Sequence, residues 1–229
     1  MPNEQIPVSV FVPFYEGERF LPGLVATLQG QGDIEVVIVV DGGQGLPAVR
    51  AAVSELPDAK VVWTTDPLGT AGARNFGSRT ASRHWITFLD QDDAWPDGML
   101  RKLLENTTDR VIAYDNDLYD EVNGKPRAAG QTVFEKAAWS HELMTADDAG
   151  LLLAGFPMVK LVMPRRWFRA AGSFSESIYA VEDFDLVWRL LRDGREITFS
   201  RAPRGKYVVR PESITGRIAR GHGGRKSRG

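Results

Sequence analysis

The chain has 229 residues, 43% hydrophobic and 25% charged, which suits a globular protein with one sizeable core and is short for two ordinary domains. It contains no cysteine, excluding disulfide scaffolds, thiolate metal sites and cysteine nucleophiles, and His84, His141 and His222 are too scattered for a two-histidine helical metal site. The net charge of −2 hides an asymmetry: residues 201–229 carry nine lysines and arginines against Glu212 alone, so a stretch of +8 follows an acidic body of −10.

Val8–Phe14 (VSVFVPF) and Ile34–Asp41 (IEVVIVVD) are short, β-branched runs, as expected of strands buried on both faces. Lys60–Thr64 and Trp85–Asp90 continue the series. Between them, apolar residues recur at helical spacing: Phe20, Leu21, Leu24, Val25 and Leu28, then Val49, Val53 and Leu56, then a segment from Ala71 to Ala81. Strands and helices alternating at about 25-residue intervals predict right-handed crossovers and a mostly parallel, Rossmann-like α/β sheet with helices on both faces. After Asp93 the regularity fades. Pro96–Glu105 reads as a helix, Val111–Tyr114 as a strand, Asn123-Gly124 as a tight turn and Met158–Met163 as a strand. Glu182–Arg192 reads as an amphipathic helix closed by Gly194. From Gly216 onward, five glycines and five basic residues leave almost nothing to bury, which predicts a flexible tail over 216–229. No apolar run approaches the ~20 residues of a transmembrane helix, and the N-terminus lacks the basic region of a signal peptide, so a cytoplasmic protein is expected.

In a doubly wound sheet, ligands bind beyond the carboxyl ends of the strands. Two predicted strands end there in aspartate, at Asp41 and Asp90, and the second continues as Asp90-Gln91-Asp92-Asp93. Three carboxylates in four residues repel one another unless a cation or hydrogen-bond donors sit among them. Alternation in an extended segment places Asp90 and Asp92 on one side, where they suit a hard divalent ion such as Mn²⁺ or Mg²⁺. A solvated acidic turn before the Pro96 helix is the competing reading.

The stretches VSVFVPFYEGERFLPGLVATLQGQGDIEVVIVVDGG, GTAGARNFGSRTASRHWITFLDQDDAWPDGML and GSFSESIYAVEDFDLVWRLLRDG together resemble family 2 glycosyltransferases of the GT-A fold, over roughly residues 6–215. The resemblance implies a sheet with an acceptor-side extension. It also implies one domain over 1–215, with a donor-binding half (1–95) and an acceptor and catalytic half (96–215). Pro13, Phe14 and Glu16 match the end of the family's first strand, against the nucleotide. Asp41 matches the aspartate on the nucleobase or ribose, Arg74 and Asn75 the A-R-N segment beside the donor pocket, and Gln91 the middle of the D-x-D. Asp90 and Asp92 match that pair, which binds diphosphate through a metal. Glu182-Asp183 matches the E-D dipeptide, with Asp183 the expected general base and Glu182 able to share that role. Asp185 and Trp188 complete the motif on the acceptor side, where Trp95 and Phe156 are further candidates and Trp139 is another aromatic able to stack on a sugar.

Plain structural readings stand beside these. Asp41 also reads as a strand-end cap, Arg74 as the partner of a surface carboxylate, the acids of 182–185 as complements to a helix dipole, and the aromatics as core. The sequence departs from the family at Asp41-Gly42-Gly43, where a second aspartate is usual, and at Arg210, where many members carry histidine. Arg210 touching the diphosphate directly, or His222 as a metal ligand, would fill the latter gap.

The implied reaction moves a sugar, with inversion, from a nucleotide-diphosphate donor (UDP is the first guess) to a hydroxyl of a saccharide or lipid-linked saccharide. Alternatives are a modified base in DNA, with the basic tail on phosphates, or a non-catalytic nucleotide-sugar or nucleic-acid binding module. The same basic stretch, 201–229, also suits an anionic membrane surface, with the enzyme peripheral to it.

Overall fold

The computed structural model describes residues 6–105, 110–120, 125–126, 143–148, 160–178 and 181–209. The predicted Asn123-Gly124 turn, Trp139, His141, Phe156, Arg210, His222 and the basic tail lie outside the described residues.

Strands β1 (Val8–Phe14), β2 (Glu35–Val40), β3 (Ala59–Trp63) and β4 (Trp85–Phe88) lie in the order β3-β2-β1-β4, all parallel. Helices α1 (Leu21–Gln29), α2 (Leu46–Ala52) and α3 (Gly69–Ser78) are the crossovers. The near-continuous apolar runs of β1 and β2 follow from their position, since each is flanked by strands and covered on both faces; the exceptions, Ser9 and Glu35, are buried and hydrogen-bonded to each other. Period two divides their side chains. Phe11, Val37 and Val39 join α3 in one core, while Val8, Val10, Val12, Phe14, Val36, Ile38 and Val40 join α1 and α2 in the other.

Beyond β4 the sheet changes character. It continues β4-β8-β5-β9-β7, with β5 (Val111–Asp120), β6 (Lys125–Pro126), β7 (Leu143–Met144), β8 (Lys160–Pro164) and β9 (Ile197–Val209). Here β8 runs antiparallel to both β4 and β5, while β5 and β9 are parallel. The parallel half is as the sequence predicts; the second half mixes directions. Helices α4 (Met99–Leu104), α5 (Arg165–Ala170) and α6 (Glu182–Arg192) complete the layers. In α6, Leu186, Val187, Leu190 and Leu191 face the core, and Gly194, at φ 75°, ends the helix as Arg195 N–H bonds Leu190 C=O at 2.9 Å.

Candidate functional site

The chain leaves β1 toward β2 on one side and returns to β4 on the other, so the carboxyl ends of β1 and β4 flank the point where strand order reverses. Gln91 lies in the loop after β4. Its amide accepts from Tyr15 N–H at 3.0 Å and donates to Tyr15 C=O at 3.1 Å, joining the loops that follow the two strands. Gly17 makes room for it, because a Cβ there would lie 2.4 Å from the Gln91 amide. Between them, Glu16 holds a left-handed φ of 45°, a strained conformation of the kind found at ligand sites.

Arg74 is the hub of the crevice. It stands on α3, 4% exposed, and spans two motifs: Nη2 lies 2.6 Å from Asp90 Oδ1 and Nη1 lies 3.4 Å from Glu182 Oε1. Phe88 and Phe174 rings sit 5.8 and 5.4 Å from the guanidinium, excluding water from it. One buried cation thus joins the D-x-D loop to the start of α6, where Glu182 lies 108 residues beyond Arg74 in the chain.

A second cation, absent from the sequence-derived candidates, is Lys160 at the start of β8. Its Nζ lies 2.5 Å from Asp90 Oδ2 and 3.1 Å from Asp93 Oδ2. Burial alone would raise the Asp90 pKa, but Lys160 and then Arg74 override it and hold the carboxyl well below the usual range. Burial would lower Lys160, but Asp90 and Asp93 lift it above the ordinary lysine range. Asp93 is pushed up to about 7 by burial, against Lys160 and with the help of Asp90 and Asp92. It also accepts Val208 N–H at 3.1 Å, pinning β9 beside the loop. The only sequence signal for Lys160 is a lone charge inside the apolar run GFPMVKLVMP.

Both oxygens of Asp90 are therefore engaged by protein cations. Asp90, expected to grip a metal together with Asp92, is paired here with Arg74 and Lys160. Among the described residues, no three carboxylates or histidines group as a metal-ligand set. A divalent ion still fits at half-buried Asp92, since such ions accept one carboxylate when phosphate oxygens complete the shell.

Asp183 differs from its neighbours. It is 8% exposed; Oδ1 accepts Phe184 N–H at 2.9 Å, while Oδ2 is buried without a partner. Burial, then the charge of Glu182, pushes its pKa up to about 6 against the pull of Arg74.

Other predicted residues have structural partners. Asp41 is 5% exposed and accepts from Thr64 Oγ1 (3.0 Å), Leu68 N–H (2.7 Å) and Gly69 N–H (2.9 Å), so it caps the start of α3, the strand-end reading of that residue. Asn75 spends its amide on the turn before α6, donating to Phe174 C=O and Glu176 at 2.9 Å each and accepting Phe174 N–H at 3.0 Å. Phe14, expected against the nucleotide, is fully buried, and Trp95, expected on the acceptor side, is 6% exposed and packed edge-on to Tyr114 at 6.1 Å. Pro13 is half-buried, paired in register with Val39 of β2. Asp185 is held by Arg189 at 2.7 Å, and Trp188 is 40% exposed with Arg192 stacked 5.0 Å from its ring.

Comparison with known proteins agrees with this architecture. The pattern of the family described as Glycosyl transferase family 2 matches residues 9–151. An uncharacterized glycosyltransferase of Haemophilus influenzae is 26% identical over 191 residues, spanning 81% of this chain and 62% of its own length. The pre-mycofactocin glycosyltransferase of Mycobacterium tuberculosis is 27% identical over 203 residues, spanning 84% of this chain and 40% of its own. The chain thus covers less than two thirds of either relative. Among solved structures, S. aureus TarS 1–349 in complex with UDP-GlcNAc aligns with a TM-score of 0.72 at 18% identity, over 90% of this chain and 59% of that one, which places both in the same fold. With a family pattern spanning more than half of its length and a GT-A fold beneath it, the chain belongs to glycosyl transferase family 2.

Proposed function

We propose that the protein transfers a sugar from a nucleotide-diphosphate donor to an acceptor hydroxyl, with inversion at the anomeric carbon. The observation that carries this reading is the Arg74 bridge, which ties Asp90 to Glu182 and so brings the buried, unpartnered oxygen of Asp183 to the same crevice as the D-x-D loop. The diphosphate lies over the carboxyl ends of β1 and β4, where Lys160 and Arg74 are fixed positive charges that cost no reorganisation as charge builds on the leaving group. Asp92 would hold Mn²⁺ or Mg²⁺, which would supply Lewis-acid stabilisation of the departing diphosphate.

Asp183 accepts the hydroxyl proton as the acceptor oxygen bonds to the anomeric carbon and the bond to the diphosphate breaks. A pKa of about 6 leaves this carboxylate ionised at neutral pH yet more basic than an ordinary aspartate. One base opposite one leaving group is a single displacement, hence inversion. UDP is the proposed nucleotide, supported by the presence of UDP-GlcNAc in the TarS complex of the same fold. The acceptor is a saccharide or lipid-linked saccharide hydroxyl, reached from the Val181 side of α6. Residues 1–215 act as one catalytic unit, since the sheet runs unbroken through both halves among the described residues.

A thermal-shift and donor-hydrolysis panel of UDP-, GDP- and dTDP-sugars, each with and without Mn²⁺, tests the class and the nucleotide together. A metal-dependent shift with UDP-sugars is expected. No shift with any nucleotide would end the proposal.

A further inference from the structure

Glu182 and Asp183 are adjacent carboxylates, both 8% exposed, at the start of α6. Two buried charges of one sign repel, and where the surroundings treat the two groups differently, their chemistry divides. The surroundings here do so. Glu182 Oε1 has a cation, Arg74 Nη1 at 3.4 Å. Asp183 has one backbone N–H on Oδ1, and its Oδ2 is buried without a partner. Consecutive side chains leave a helix about 100° apart, so the residue that reaches α3 is not the one that turns an unpaired oxygen elsewhere.

Helix α3 fixes this arrangement from one side. Arg74 and Asn75 are neighbours on it, and both hold the chain around the start of α6. Arg74 takes Glu182, while the Asn75 amide donates to Phe174 C=O at 2.9 Å and accepts Phe174 N–H at 3.0 Å. The Phe174 ring in turn lies 5.4 Å from the Arg74 guanidinium. From within α6, Arg189 donates to Ser173 C=O at 2.7 Å, beside Phe174. Glu182 is therefore a charge of fixed position, clamped between two helices. Asp90 sits on the other arm of the same guanidinium at 2.6 Å, so Glu182 shares its cation with the D-x-D loop.

We propose that Glu182 is a positioning residue for the base: Arg74 holds it in place, it presents its charge to Asp183, and it does not itself take the proton. The proposal rests on Asp183 as the base and gives its neighbour a different role. The charges around Asp183 act in definite directions. Burial, then Glu182 on its own helix, raises its proton affinity, and Arg74 from α3 lowers it. Asp90, in the loop after β4, lies behind Arg74, and Asp185, two residues along α6, is paired with Arg189. Removing the Glu182 charge takes away a repulsion and leaves Arg74 less compensated. Both changes lower the affinity of Asp183 for a proton and so weaken the base.

The experiment follows the Asp183 carboxyl carbon of the full chain by NMR titration, with Asp183→Asn identifying the resonance by its absence. Glu182→Gln and Glu182→Asp are compared with wild type, and hydrolysis of UDP-GlcNAc with Mn²⁺ is measured against pH in all four proteins. The wild-type midpoint near 6 is expected to fall by about one unit or more in Glu182→Gln, with circular dichroism unchanged. In Glu182→Asp, which keeps the charge, it should move less than half as far. The acid limb of hydrolysis should follow the midpoint, and Glu182→Gln should lose less activity than Asp183→Asn. An unchanged midpoint in folded Glu182→Gln, an equal fall in Glu182→Asp, or hydrolysis lost as fully in Glu182→Gln as in Asp183→Asn would overturn the proposal. Wild-type hydrolysis by Asp183→Asn would instead end the reading of Asp183 as the base, a result distinct from an unmoved midpoint.

Discussion

Asp183 is placed where a structural aspartate would not be, because its Oδ2 is buried without a partner and its proton affinity is raised to about 6. The linkage has a definite sign. The folded state holds this proton more tightly than the unfolded chain, so the contribution to stability is full below about pH 4 and is lost as pH rises through about 6. Asp183→Asn removes that cost and is expected to raise stability at pH 7–8 by up to about 3 kcal/mol, read by denaturant melts at pH 4 and pH 8. Transfer by wild type should climb as pH passes through about 6 and then level off, reported by the pH profile of kcat/KM. Arg74→Met should destabilise the fold by about 3–5 kcal/mol, because Glu182 is left buried without its cation, and thermal unfolding checks it. At this scale the sequence exposes residues whose chemistry is local: Asp90, Asp92, Glu182 and Asp183 stand in short motifs. Lys160 was illegible because its partners lie 70 residues away and nothing in its own neighbourhood calls for a charge.

The elements that could be read are those whose burial sets a period. β1 and α6 match their predicted limits, because β1 is buried and largely apolar on both faces and α6 carries a clean stripe ended by glycine. Strand β9 was not foreseen: ITFSRAPRGKYVV contains Pro203 and Gly205, and its pairing with β5 shifts register between Tyr114 and Asn116, so neither alternation nor composition marks it. Helix α5 is a single short segment, below the length at which periodicity speaks. The predicted start of the fourth helix at Pro96 moves to Met99, after Gly98 at φ 67°. Small residues on α3 have a clear use. A Cβ on Gly77 would stand 2.8 Å from Val39 Cγ2 and 3.4 Å from Phe11, so Gly77→Ala should push α3 off the sheet and cost about 1–3 kcal/mol, measured by denaturant unfolding. Since α3 carries Arg74, the same variant should lower transfer at a temperature where it remains folded.

Over the whole molecule, the parallel half and the crevice at its switch point were legible because buried parallel strands leave few alternatives. The mixed half was not, since β8 and β9 are placed by contacts distant in sequence. Among the described residues no helix is long and apolar enough to cross a membrane. The two halves meet through Arg74, Lys160 and the Asp90–Asp93 loop, so the D-x-D loop and the proposed base are one structural unit. Asp92→Ala should therefore weaken donor binding in the presence of Mn²⁺ and leave metal-free binding nearly unchanged, as calorimetry would show.

The most direct measurement is donor affinity and transfer rate in Asp183→Asn beside wild type, at pH 7.5 with Mn²⁺. Donor affinity within a few-fold of wild type and transfer reduced by about 10²–10⁴-fold is the expected pair of results. Wild-type transfer by Asp183→Asn would contradict the assignment of that carboxylate as the base.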